Sequence, residues 1–294
     1  MSKILVTGAT GFLGRHLCPA LKSQGHDVTE TNSKTHYVQC IEYDYIYHLA
    51  AYTRAGDWCL THSGEQWIVN QQLNSNLLKF WRKVAPQAKL ITIGSSCAYA
   101  PGVNLTEDNY MKGDPHESLY TYAVTKRMLY EGCRALDKQY GMKYLYLVPS
   151  TLYGPGYHTD GRQAHFIFDL IRKIIRGKEL GEAVVLWGDG LQKRDMIYVN
   201  DFVRLMLTLN DKTENDIFNL SGDTHTIRGF AYAISALIGY DSDDIKYDLT
   251  RFVGADKKSL DTHKAARIID YNLTPLKIGL QETINWFYES GAWK

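Results

Sequence analysis

Tyr122 and Lys126 stand four residues apart, which puts both side chains on one face of a helix. A free phenol titrates near about 10, too high for a base at neutral pH. An ammonium beside it favours the phenolate and lowers that value, so the pair can act as general acid and base at a carbonyl or hydroxyl carbon. A second group of residues addresses what would be oxidised or reduced there. Gly8, Gly11 and Gly14 follow the apolar run Lys3–Thr7 and open a helical pattern. That spacing suits a tight turn, close approach of a pyrophosphate and close helix–strand packing, with free N–H groups of the helix facing the anion. Thr10, Phe12 and Leu13 belong to the same turn. Ser95 stands at the end of a further apolar run, and its hydroxyl can orient a substrate oxygen.

These residues need a frame that brings strand ends together. Apolar runs at Lys3–Thr7, Asp27–Thr31, Tyr45–Ala50, Leu90–Gly94 and Lys143–Val148 alternate with helical patterns ending near Gln24 and over Gln66–Val84 and Tyr122–Tyr140. Strands separated by helices predict right-handed crossovers and a doubly wound parallel α/β sheet. In such a sheet, ligands bind beyond the carboxyl ends of the strands. After Pro149 the rhythm changes: Tyr153-Gly154-Pro155-Gly156 is a turn signal. Helices are predicted over His165–Arg176, Asp201–Asn210, Ile227–Ile238 and Leu276–Glu289, with strands at Val184–Trp187, Met196–Val199 and Ile217–Leu220. The expected organisation is a dinucleotide-binding domain over residues 1–155, rejoined by about 196–224. A smaller α/β substrate domain then occupies most of 156–294.

Composition narrows the partners. Lys plus Arg number 33 and Asp plus Glu 32, so no basic surface argues for nucleic acid or an anionic membrane. No run of 18 or more apolar residues predicts a membrane span. The opening residues enter a strand directly, leaving no room for a signal peptide, and the five cysteines form no C-x-x-C pattern. Reduced thiols in a cytoplasmic protein are the expectation. Tyrosines number 21, and composition assigns none of them a role.

The end of the second strand bears on the cofactor. An acid there would bond the ribose 2′-hydroxyl of NAD. Asn32, Ser33 and Lys34 stand there instead, and their donors and charge tolerate a 2′-phosphate. NADP(H) is therefore favoured, with NAD(H) as the alternative.

Longer motifs carry a resemblance. Val6-Thr7-Gly8-Ala9-Thr10-Gly11-Phe12-Leu13-Gly14, Tyr47-His48-Leu49-Ala50-Ala51, Leu152-Tyr153-Gly154-Pro155-Gly156 and Trp187-Gly188-Asp189-Gly190 resemble motifs of the extended short-chain dehydrogenase/reductase family. This is the family of nucleotide-sugar epimerases, dehydratases and reductases, built on a Rossmann-type sheet. Gly94-Ser95-Ser96-Cys97-Ala98-Tyr99, Ala164-His165-Phe166-Ile167, Thr226-Ile227-Arg228 and Lys257-Lys258-Ser259-Leu260-Asp261 are most similar to the GDP-L-fucose synthase branch.

That resemblance implies NADPH and a 4-keto hexose or heptose on a nucleoside diphosphate, GDP foremost. It implies epimerisation at C3 and C5, then hydride delivery to C4. The alternative within the family is an NAD-dependent 4-epimerase or dehydrogenase that oxidises C4 transiently; a third reading is a non-catalytic dinucleotide sensor on the same fold, against which the retained Tyr122 and Lys126 argue. Residue by residue, the resemblance makes Cys97 the base and His165 the acid of epimerisation. It gives reduction to Ser95, Tyr122 and Lys126. A thiol near about 8.5 and an imidazole near about 6.5 can both exchange protons around neutrality. Leu49, Ala50, Ala51 and Pro149 join the cofactor site. Thr151, Trp187, Arg194 and Lys258 join the substrate site, with Arg172 and Lys173 as weaker nominees. Ser150-Thr151 departs from the Asn usual before Leu-Tyr-Gly-Pro. A homodimer, packed through the two long helices, is the oligomer the resemblance implies.

Overall fold

The computed structural model describes residues 1–32, 42–53, 58–158, 164–251 and 257–294. Cys40 lies outside the described residues. The chain divides into two compact units, 1–149 with 202–220 and 261–271, and 150–201 with 221–260 and 272–294.

The first unit is built on β1 (Lys3–Thr7), β2 (Asp27–Thr31), β3 (Tyr45–His48), β4 (Lys89–Ile93) and β5 (Tyr144–Pro149). Helices α1 (Phe12–Ser23), α2 (Trp58–Thr61), α3 (Ser63–Val84) and α4 (Tyr120–Tyr140) connect them. A sixth strand, which becomes β9 in chain order, is described below. Sheet order is β2-β1-β3-β4-β5-β9, and every pair is parallel. Leu90, Ile91, Leu145, Tyr146 and Leu147 are buried at successive positions, as strands covered on both faces require. The winding reverses at β1: β2 lies on one side and β3 on the other. The carboxyl ends of β1 and β3 therefore frame the crevice where this class of sheet binds ligands.

The second unit contains β6 (Thr151–Tyr153), α5 (Phe166–Leu180), β7 (Val185–Trp187) and β8 (Lys193–Tyr198). Helix α6 (Val199–Lys212) starts in it and leads into the first unit's β9 (Asp216–Leu220). Then come β10 (Thr224–Thr226), α7 (Ile227–Ile238), β11 (Lys246–Asp248) and β12 (Lys257–Lys258). Helix α8 (His263–Ala266) belongs to the first unit, and α9 (Leu276–Ser290) closes the second. β8 is the hub: its Met196–Tyr198 half pairs with β6, while its Lys193–Asp195 half pairs with β10 and β12. β7 pairs with β11.

The sequence reading puts a turn at residues 153–156, where 154–156 do lie outside any strand, but reads no strand at β6 and puts a border at residue 155. In the structure the chain crosses after Pro149, because residues 151–153 pair with β8. The first unit takes back 261–271 as well as 202–220. Lys264 of α8 bonds the carboxylate of Asp216 at 2.5 Å and the Ile217 carbonyl at 3.0 Å, which ties that segment to β9. No helix of the described residues is long and apolar enough to cross a membrane.

Candidate active site

In the first unit, the glycine turn is defined by what side chains would strike. Gly8 has φ +71°, and a Cβ there would lie 2.7 Å from the Ala50 nitrogen. A Cβ on Gly14 would lie 2.5 Å from the Gly8 and Ala9 carbonyl oxygens. Gly11 caps α1 with no side-chain hydrogen bond, and no acid occupies the first turn of that helix. The sheet backbone, the turn and an uncovered helix start thus share a small volume. That cradle fits the pyrophosphate of a dinucleotide, whose charge the helix terminus favours.

Leu49 and Ala50 are tied to β1: their N–H groups donate to the Thr7 carbonyl at 3.1 Å and to Thr7 Oγ1 at 3.4 Å. Thr7 Oγ1 also meets His48 Nδ1 at 2.7 Å, while His48 Nε2 meets Asn74 Oδ1 at 3.5 Å. Asn74 Nδ2 donates to the Thr125 carbonyl at 3.3 Å, so the chain reaches the residue before Lys126. Burial lowers the His48 imidazole to about 3, with the Lys126 charge a second cause, so His48 is neutral at working pH. Asn70 clamps Tyr52, accepting from its N–H at 2.9 Å and donating to its carbonyl at 3.1 Å, just beyond Ala51. The sequence reading missed Asn70 and Asn74.

Asn32 lies exposed just past β2, whose last residue accepts the Ala9 N–H at 3.3 Å. The nearest acid on that strand, Glu30, is paired with Lys22 at 2.6 Å. Ser33 and Lys34 lie outside the described residues.

Ser95, Cys97, Tyr122 and Lys126 come together beyond β4. Ser95 Oγ accepts the Cys97 N–H at 3.2 Å and so caps a short 3₁₀ turn, Ser96–Ala98. Cys97 is half-buried. Lys126 Nζ lies 5.8 Å from the centre of the Tyr122 ring and donates to the Ile93 carbonyl at 2.8 Å. Burial lowers the Lys126 ammonium to about 8. Burial drives the Tyr122 phenol up, with Cys97 and Tyr110 adding to it and a Ser95 hydrogen bond opposing it. This reverses the direction that spacing alone suggests. The phenol stays protonated at working pH, and a protonated phenol is the form that gives a proton to a carbonyl oxygen. Pro149, half-buried, ends the neighbouring β5.

The remaining predicted residues lie in the second unit. His165 caps α5 by backbone alone, its carbonyl accepting from Phe168 and Asp169. Its ring lies 6.3 Å from Tyr157, which stacks on Phe168 at 3.7 Å. The residue keeps solvent exposure, yet crowding of the ring lowers its imidazole, and His158 adds to the effect. Arg194 and Lys258 are cross-strand neighbours on β8 and β12, so both stand on one sheet face. His225 is paired to Arg194 from the other side, a neighbour the sequence reading missed. Asp195, on the opposite face, accepts the Ser221 hydroxyl at 2.7 Å and the Leu260 N–H at 2.9 Å, which fixes this register.

Trp187 is 51% exposed, at the end of β7, with the Arg251 guanidinium 5.3 Å above its ring. Its loop is held from within: Arg228 donates to the Asp189 carbonyl at 2.7 Å and lies 4.6 Å over Tyr247. Thr151 is half-buried on β6, and the Ser150 hydroxyl beside it is buried without a hydrogen-bond partner. Arg172 and Lys173 both pair with Asp169, at 2.8 and 2.9 Å. That arrangement is a charged helix surface rather than an anion site. No cluster of His, Cys, Asp and Glu suited to a metal occurs among the described residues.

The sequence model of the NAD dependent epimerase/dehydratase family matches residues 4–221. A dTDP-4-dehydro-6-deoxy-D-allose reductase from a Streptomyces species is 27% identical over 317 residues, covering 97% of this chain and 95% of the relative. A GDP-L-colitose synthase from Yersinia pseudotuberculosis is 27% identical over 302 residues, covering 97% of each. Among solved structures, a GDP-L-fucose synthetase from Naegleria fowleri superposes with a TM-score of 0.84 at 22% identity, over 99% of this chain and 94% of that one. At that identity the likeness speaks for the fold.

Proposed function

The chain belongs to the NAD dependent epimerase/dehydratase family, and we propose that it uses NADPH to convert a 4-keto sugar carried on a nucleoside diphosphate, epimerising C3 and C5 and reducing C4. The observation that carries this reading is the convergence of Ser95, Cys97, Tyr122 and Lys126 at one end of the sheet that also holds the glycine cradle. Two relatives whose names specify a 4-dehydro sugar reductase and a GDP-sugar synthase support the substrate class. The absence of an acid at Asn32, with Glu30 engaged by Lys22, supports NADP(H) over NAD(H).

The cradle of Gly8, Gly11 and Gly14 would hold a dinucleotide, which when bound would supply hydride. Everything else falls to this chain's side chains. The 4-ketone acidifies the protons on its neighbouring carbons, and in this reading Cys97 is the base that removes them and His165 the acid that returns them. Ser95 and Tyr122 hold the ketone oxygen. As negative charge develops on that oxygen, Tyr122 gives it the phenolic proton, and the Lys126 ammonium stabilises the phenolate left behind. Arg194 and Lys258 together offer fixed positive charge to the diphosphate. A neutral chain thus meets an anionic ligand with a few placed groups. The long helices α3 and α4 would serve as the surface of a homodimer.

The experiment is to follow NADPH oxidation by the purified protein against a panel of GDP- and dTDP-linked 4-keto-6-deoxyhexoses. Consumption with at least one member, together with solvent deuterium at C3 and C5 of the product, is expected. Cys97→Ser should lose the deuterium and keep much of the hydride transfer. Protein that retains NAD and consumes no NADPH with any member would overturn the reading in favour of a 4-epimerase.

A further inference from the structure

We propose that Tyr110 and Tyr146 are positioning residues, whose two hydroxyls form a one-way hydrogen-bond relay fixing Ser95 to the helix that carries Tyr122 and Lys126. The proposal rests on the catalytic roles argued above. Its geometry stands within the first unit.

The Ser95 N–H donates to Tyr110 Oη at 3.5 Å, Tyr110 Oη meets Tyr146 Oη at 3.1 Å, and Tyr146 Oη donates to the Lys126 carbonyl at 2.7 Å. A phenol has a single proton to give. Tyr146 spends its proton on Lys126, so Tyr110 must donate to Tyr146 and accept from Ser95. Direction is thereby fixed along the whole chain, from a peptide N–H on the strand side to a peptide carbonyl on the helix side. Both rings have no solvent exposure, and burial holds both phenols far above their ordinary range, so neither link breaks by ionisation.

Simple packing does not account for this pair. Two phenylalanines would fill nearly the same space without the desolvation cost of two hydroxyls. The surroundings are also cut to fit. A Cβ on Gly94, the residue before Ser95, would lie 2.5 Å from Tyr146 Cε1 and 2.9 Å from Tyr110 Oη. A glycine is therefore required where the relay passes beneath the strand end. The loop that brings Tyr110 is braced separately: Arg127, next to Lys126, donates to the carbonyls of Ala98, Gly113 and Lys112 at 2.8, 2.6 and 3.0 Å. Two adjacent residues of α4 thus anchor both the 3₁₀ turn of Cys97 and the tyrosine under Ser95.

The test uses Tyr110→Phe and Tyr146→Phe, which keep the rings. Amide hydrogen exchange resolved at Ser95 and Gly94 is the first readout. The Gly94 N–H donates to the Leu147 carbonyl at 2.7 Å, inside the sheet and outside the relay. Each variant should speed Ser95 exchange by about fivefold to tenfold and leave Gly94 unchanged. The second readout is single-turnover NADPH oxidation with whichever panel sugar the wild type reduces. The rate should fall by about tenfold with NADPH affinity unaltered, and the double variant should be no worse than the poorer single one. Equal acceleration at both amides, or at neither, would overturn the relay. Full activity in Tyr122→Phe would instead overturn the catalytic reading, with the exchange result still standing as a test of the relay.

Discussion

The two units carry their candidate residues differently. Ser95, Tyr122 and Lys126 sit where a parallel sheet, with strands paired on both sides, meets a 21-residue helix, and the side chains of Ser95 and Lys126 are held by bonds to backbone. The group of Trp187, Arg194 and Lys258 sits on strands of two to six residues, and its best-placed ring is half in solvent. The first arrangement suits chemistry that tolerates little displacement. The second suits recognition, where exposed donors can meet ligands of differing shape. Under the proposed function, the first group would be built in advance for chemistry and the second left adaptable for recognition.

Substitutions can break this contrast. Tyr122→Phe should lower hydride transfer by about a hundredfold to ten-thousandfold, since it removes the proton donor, and should barely change thermal stability. In the wild type the same rate should fall as pH rises through about 8, where Lys126 loses its charge. Arg194→Ala should act on the other axis, raising KM for the nucleotide sugar about tenfold to a hundredfold with kcat largely kept. A loss of kcat equal to that of Tyr122→Phe would erase the distinction.

His48 sharpens it through stability. Its value is about 3 folded against about 6.5 unfolded, so the unfolded chain takes the proton first. Stability should therefore fall as pH drops from about 6.5 towards about 3, and His48→Gln should flatten that slope by a few kcal/mol at about pH 4 in denaturant titrations. The smallest effect belongs to Arg172→Ala. Its exposed pair with Asp169 should be worth about 0.2–1 kcal/mol in stability, with KM changed less than about twofold.

The same contrast governs what could be read from residues alone. β1 and α7 lie where the patterns predict, because burial on both faces or on one helical stripe imprints a period; β2 lies there too, although none of its residues is buried. The strands β6, β10, β11 and β12 carry no such imprint. Two or three residues long, they exist because β8 and β7 offer partners. Tyr122 and Lys126 were legible because helical spacing is local. The register of Lys258 with Arg194 depends on Asp195 catching Leu260, which no local pattern records. Tyr110 and Tyr146 were illegible for another reason: a buried tyrosine on a strand or loop reads as a β-former or a core ring until its hydroxyl partners are known.

The late arrival of β9 has a consequence for biosynthesis. β5 is complete at residue 149, yet its neighbour in the sheet is drawn from 216–220, and α8 follows only at 263–266. At typical elongation speeds of about 5–20 residues per second, the far edge of β5 waits several seconds for its partner to leave the ribosome. During that interval a row of unpaired amides and carbonyls, flanked by the apolar side chains of β5, is available to any other nascent chain. Slowing translation between those two strands should lower soluble yield more than slowing it before β5.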